Sequence, residues 1–168
     1  QQQVQGGYVQ ENGVLLMTGN GGVTASRVLL ACGAHSAKLT AALTGKQVPL
    51  DTERGYHLML PHEHDRLPFP VTSLERKFIM TPMREGLRLA GTVEFAGLER
   101  PANMARAWQL QRLSQGLFRH DLNADGATPW MGFRPSLPDS LPVIDQVCAG
   151  KVLLAFGHQQ LGLTQAAV

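Results

Sequence analysis

Apolar positions in this chain come mostly in short runs, and the turns between them carry glycine, asparagine and proline. Residues 14–17 and 27–31 are runs of strand length, and Asn12-Gly13 and Asn20-Gly21 beside them are strong hairpin signals. The run Val28-Leu29-Leu30-Ala31 is continuous rather than alternating, which suits a strand covered on both faces. Gly33 follows, and residues 36–43 then read as a helix stopped by Gly45. A βαβ-like element is therefore expected at the start. Strands are expected next at 54–60, 78–81 and 87–92, separated by Pro, Gly and charged turns. One longer helix is predicted from Pro101 at its first position, with Met104, Ala107, Leu110, Leu113 and Leu117 at three-to-four spacing. The proline-rich stretch "WMGFRPSLPDSLPVIDQV" reads as extended, and a last strand at 151–156 runs into Gly157. Together these elements predict a mixed α/β, α+β architecture, one layered body interrupted by a second.

The length of 168 residues suits one domain or part of a larger protein. The opening "QQQVQGG" lacks an initiator methionine and the chain ends abruptly, so a piece of a longer protein is expected. The net charge of +2 is spread without a Lys/Arg run, and only 6% of residues are aromatic, which argues against a nucleic-acid partner. No stretch is long and apolar enough for a transmembrane segment, and no secretory leader is visible, so a cytoplasmic location is expected. Cys32 and Cys148 fall in no paired motif and read as buried free thiols.

Several motifs fail on their chemistry. "GNGG" at 19–22 approaches GxGxxG, but Thr24 holds the third glycine position and a strand follows instead of a helix. Gly45-Lys46 lacks the upstream glycine of a P-loop. His62 and His64 in "PHEHDR" could ligate a metal, but no third ligand is near in sequence, and a solvated loop accounts for them better. Ser36 does not lie in GxSxG, so a nucleophilic hydrolase is disfavoured. Neither a metal nor a catalytic side chain is assigned.

Two stretches are more informative. Arg134, between Phe133 and Pro135 on stiff extended backbone, can present its guanidinium fork to a carboxylate; a structural salt bridge is the equal alternative. In "AFGHQQLGLT", Gly157 and Gly162 bracket a turn whose backbone N–H groups suit an anionic or polar ligand atom; an ordinary tight turn is again the alternative.

Three blocks in order, "RVLLACGAHSAKL", "MGFRPSLPDSLPVID" and "VLLAFGHQQLGLTQAA", make the chain resemble the C-terminal part of the D-amino-acid dehydrogenase/oxidase (DAO) superfamily of FAD-dependent oxidoreductases, which includes glycine and sarcosine oxidases. "RGYHLML" and "GLRLAGTVEFAG" resemble strands of that family's substrate domain. The resemblance implies a discontinuous dinucleotide-binding domain, residues 1–48 and 133–168, with an inserted antiparallel-sheet substrate domain at 49–132. It implies that Arg134 binds the substrate carboxylate and that Tyr56 and His57 lie near the substrate. Gly33 would lie in a turn approaching FAD. Gly157, His158, Gln159, Gln160, Leu161 and Gly162 would form the loop beside the flavin ring, leading into a terminal helix. The implied chemistry is oxidation of D-amino acids or related small amines by hydride transfer to FAD. The alternative is a catalytically inactive binding module that keeps the fold. The family's N-terminal GxGxxG is absent from this chain, so FAD binding by the chain alone is expected to be weak or nil. The missing FAD-binding part or a second copy is the expected macromolecular partner, and the parent could sit peripherally at the inner membrane.

Overall fold

The computed structural model describes residues 2–166. They fall into two compact units, one formed by residues up to Thr52 together with those from Arg134, the other by Glu53–Phe133.

The first unit opens with an antiparallel meander of β1 (Val4–Gln10), β2 (Gly13–Thr18) and β3 (Gly21–Ala25). Both hairpins close through two-residue loops, since Gln10 pairs with Gly13 and Thr18 with Gly21. The Asn-Gly signals are thus offset by one residue: asparagine ends each loop and glycine begins the next strand. β4 (Val28–Leu30) leads through a short 3-10 turn at Gly33–His35 into α1 (Ser36–Thr44), which Gly45 caps in the left-handed region. The parallel partner of β4 is β11 (Val152–Phe156), whose other edge pairs antiparallel with β10 (Val143–Val147). The expected βαβ start is therefore corrected. The strands before β4 form a separate antiparallel sheet, because their tight hairpins allow no crossover. Val14, Leu30, Leu43, Val152, Leu154 and Phe156 join in this unit's core.

The other sheet runs β6-β7-β8-β5-β9, with β5 (Asp51–Leu60), β6 (Val71–Ser73), β7 (Phe78–Met83), β8 (Gly86–Phe95) and β9 (Thr128–Ser136). Burial alternates along β5, with Thr52, Arg54, Tyr56, Leu58 and Leu60 inward. Leu58, Leu60, Phe78, Met80, Leu87 and Leu89 pack there with Leu110 and Leu122. Leu110 comes from α2 (Ala105–Ser114), which is shorter than its periodicity suggests. Pro101 lies outside it. The Arg54 guanidinium instead takes the carbonyls of Ala96, Gly97 and Pro101, which holds this stretch in irregular backbone. Leu117 lies beyond the helix end and is exposed.

The 61–66 loop is not wholly solvated. His62 and His64 are exposed, but Glu63 is buried, accepting hydrogen bonds from Arg66 and from the Asn123 N–H. Burial pushes its carboxyl up, yet those hydrogen bonds and the charges of Arg66 and His62 outweigh it and hold the group below the ordinary carboxylate value. Glu63 thus contributes stability above the unfolded-state value near 4.5, and that contribution is lost as pH falls through the lower folded value. Glu63→Ala should cost about 1–3 kcal/mol by denaturant unfolding, because it leaves the part-buried Asn123 N–H and the Arg66 guanidinium without their acceptor. Glu63→Gln should also lose less stability than wild type on acidification below pH 4.5; parallel acid profiles would refute the assignment. Among the described residues no group of three His, Cys, Asp or Glu is arranged to hold a metal, and no helix is long and apolar enough to cross a membrane. Both cysteines are free thiols, and Cys32 is exposed rather than buried as expected.

Candidate flavin and substrate sites

In the first unit, β4 and β11 run parallel in register, with Leu30 opposite Leu154. Gly33 and Gly157 each lie three residues beyond that pair, so their turns leave the same carboxyl edge of the sheet. Such an edge is where open parallel sheets accept ligands. Both glycines have positive φ, +55° and +80°. A Cβ at Gly33 would meet nothing within 4 Å, so open space lies over that turn. At Gly157 a Cβ would approach Leu137 Cδ1 at 2.5 Å, so this glycine allows close packing beneath the loop.

The loop continues through His158, Gln159, Gln160, Leu161 and Gly162. The Leu161 N–H donates to the His158 carbonyl at 3.0 Å, and Gln159 itself adopts a φ of 51°. The N–H groups of His158, Gln159 and Gln160 have no hydrogen-bond partner among the described residues. Donors left open at the carboxyl edge of a parallel sheet suit the polar edge of a flavin. Beyond Leu161 the described residues form successive turns with one α-type bond, Gln165 N–H to the Leu161 carbonyl at 2.9 Å, rather than the terminal helix expected.

The remaining candidates lie on the large sheet. Tyr56 and His57 are consecutive on β5 and so face opposite sides. Tyr56 is inward and 2% exposed; its hydroxyl donates to Glu94 Oε2 at 2.6 Å and accepts from the Asn103 N–H at 3.1 Å. The Tyr56 hydroxyl, aided by Arg106, Arg54 and Arg100 and opposed by burial, holds the Glu94 carboxyl below its usual range. His57 faces outward and stacks on Trp130 of β9, ring centres 4.7 Å apart and 17° from coplanar. Burial first, and the charge of Arg88 second, lower the His57 imidazole below its ordinary value, so it is neutral at pH 7. Arg134 lies on β9 at even spacing from Trp130 and Gly132, which places the three on one face of that strand. β9 is an edge strand, which is why it tolerates Pro129 and Pro135 without breaking a ladder on both sides. Arg134 is half-buried.

Sequence reasoning passed over Arg88 and Trp130. Arg88 is flanked by the buried Leu87 and Leu89, and strand alternation around them is the signal that puts it on the outward face. Trp130 carried no local signal, because its partner is remote in sequence.

Comparisons with known proteins bear on the family and the fold. Residues 2–168 match the family described as FAD dependent oxidoreductase (DAO). The chain is 37% identical over 158 residues to a D-amino-acid oxidase of Bradyrhizobium diazoefficiens, covering 92% of this chain and 37% of that protein. It is 33% identical over 153 residues to a D-amino acid dehydrogenase of Paramagnetospirillum magneticum, covering 90% of this chain and 36% of that one. Its fold is similar to glycine oxidase from Geobacillus kaustophilus, with a TM-score of 0.75 at 22% identity over 96% of this chain and 44% of that chain. L-proline dehydrogenase from P. horikoshii also gives 0.75, at 16% identity over 98% of this chain and 46% of that chain. The chain thus spans about a third to a half of the proteins it matches. It belongs to the FAD dependent oxidoreductase family.

Proposed function

We propose that this chain carries the substrate-binding and carboxyl-terminal parts of a flavin-dependent enzyme that oxidises D-amino acids or related small amines. The observation that carries this reading is the shared carboxyl edge of β4 and β11, where the Gly33 turn and the open N–H groups after Gly157 fit a flavin. FAD, when bound, supplies the acceptor for the two electrons and hydrogen leaving the substrate's α-carbon. The amine is oxidised to an imine, which water hydrolyses to a keto acid and ammonia.

The chain's own residues do three things in this reading. Arg134 clamps the substrate carboxylate through its guanidinium fork and so fixes the direction of the Cα–H bond. Backbone N–H groups along Gly157, His158, Gln159, Gln160, Leu161 and Gly162 donate to the flavin's polar edge and favour negative charge there. In this reading His57, stacked on Trp130 on the outward face of the second unit's sheet, would contact substrate, while Tyr56 on the other face is held through Glu94.

The test is oxidation of a panel of D-amino acids, glycine and sarcosine by the flavin-loaded parent protein. Keto acid and ammonia should form in equal amounts from at least one D-amino acid, and a uniformly inert panel would overturn the reading. A second result follows from the absence of GxGxxG in this chain. The chain by itself should bind FAD too weakly to keep it through gel filtration; a stoichiometric yellow complex would contradict this.

A further inference from the structure

Four arginines of the second unit have partners at their guanidinium groups. Arg54 is held by three carbonyls, Arg66 by Glu63, Arg76 by the Leu113 and Gln115 carbonyls, and Arg106 by Glu94 at 3.5 Å. Arg88 is half-buried, its Nε is sealed from solvent without an acceptor, and no carboxylate pairs with it among the described residues. A buried donor left unmet costs about 1–3 kcal/mol. An acceptor arriving from outside would meet that donor at Arg88.

The surroundings say what kind of acceptor fits. Arg88 pairs across the sheet with Met59 on β5 and Thr81 on β7, so its direct cross-strand neighbours are a thioether and a hydroxyl. His57 lies two residues along β5 from Met59, close enough to feel the Arg88 charge. Stacking fixes the imidazole against Trp130, and the Trp130 ring lies over Gly132, where a Cβ would meet its Cη2 at 2.0 Å. Another charged residue on this face is Glu53, four residues back along β5, which already has an interaction of its own. A cationic fork, a neutral imidazole able to donate one N–H, and an aromatic wall form a receptor for a carboxylate.

We propose that Arg88 and His57 form an anion subsite, walled by Trp130, that takes a carboxylate group of a small ligand. If the substrate's α-carboxylate is held elsewhere, as the proposed function has it, this subsite takes a second acidic group. The preferred substrates are then amino acids of the aspartate and glutamate kind. The subsite itself does not depend on that reading.

The experiment uses this chain in a Trp108→Phe background, so that Trp130 is the fluorophore. Sodium acetate is titrated against sodium chloride at equal ionic strength, with His57 followed by NMR over a pH series. Acetate should give a saturable change in Trp130 emission and move the His57 midpoint upward, since it neutralises the adjacent cation. Arg88→Gln should weaken the acetate response by about tenfold, with partial recovery in Arg88→Lys. No acetate-specific response, or one retained in Arg88→Gln, overturns the subsite. An acetate response lost in Arg134→Gln but kept in Arg88→Gln also overturns it and moves the anion to Arg134. In the flavin-loaded parent, Arg88→Gln should reduce the preference for D-glutamate over D-alanine by about tenfold. An unchanged preference removes the substrate assignment while leaving the acetate result standing.

Discussion

Replacing Arg134 with alanine in the complete flavoprotein is expected to raise KM for the amino-acid substrate by on the order of 100-fold, with a smaller fall in kcat. Hydrogen bonds to a charged partner contribute about 1.5–3 kcal/mol, and a bidentate clamp makes two of them at once. Most of that interaction exists in the ground state as well as the transition state, so its loss falls mainly on KM. The remaining loss in kcat reflects a carboxylate free to rotate, which misdirects the Cα–H bond. Arg134→Lys should recover only part of the affinity, because an ammonium is a point charge and cannot form the parallel fork. Pro135 and the edge position of β9 hold the backbone that presents this side chain. Steady-state kinetics on the two variants decide the matter, and an unchanged KM in Arg134→Ala removes the residue from the site.

Arg54→Ala is expected to cost about 3–5 kcal/mol of folding stability, the scale seen when one partner of a buried charged network is removed. Arg54 is fully buried. Its Nε donates to the Gly97 carbonyl at 2.7 Å, and its terminal nitrogens reach the Pro101 and Ala96 carbonyls at 3.3 Å. It also approaches Glu94 at 3.8 Å and lies 5.4 Å over the Phe133 ring. Truncation leaves three part-buried carbonyls without a donor and Glu94 without one of its cations. A loss of this size is a large part of a domain's margin, so the variant should unfold at much lower denaturant than wild type. Arg54→Lys should remain destabilised, since one ammonium cannot span carbonyls on both sides of the fork. An Arg54→Ala midpoint within error of wild type would mean that water satisfies those carbonyls.

Elements written in local chemistry were legible from sequence, and those set by remote partners were not. α1 followed from its run of helix formers and from Gly45, and β5, β7 and β8 from apolar runs between turns. β1 was hidden because "VQGGYVQ" carries two glycines and two glutamines, and it becomes a strand by pairing with β2. β3 and β6 are likewise short and polar, and exist as the outer rungs of hairpins. The parallel pairing of β4 with β11 joins segments more than a hundred residues apart, which no local pattern encodes. Among site candidates, the Gly33 and Gly157 turns were legible because glycine marks positive φ. The commitment of Tyr56 to Glu94 and Asn103 was not, since both partners lie on other elements. Arg88 was recoverable from alternation around Leu87 and Leu89, yet its lack of a partner is visible only in three dimensions.

The central claim is that Arg134 belongs to a site where D-amino acids are oxidised by a flavin. Anaerobic mixing of the flavin-loaded parent with D-amino acids tests it most directly, read as bleaching of the visible flavin absorption. The account predicts complete bleaching by at least one D-amino acid in the wild type, and bleaching in Arg134→Ala that needs on the order of 100-fold more substrate. A flavin that stays yellow with every D-amino acid, glycine and sarcosine would contradict it, as would bleaching indifferent to Arg134.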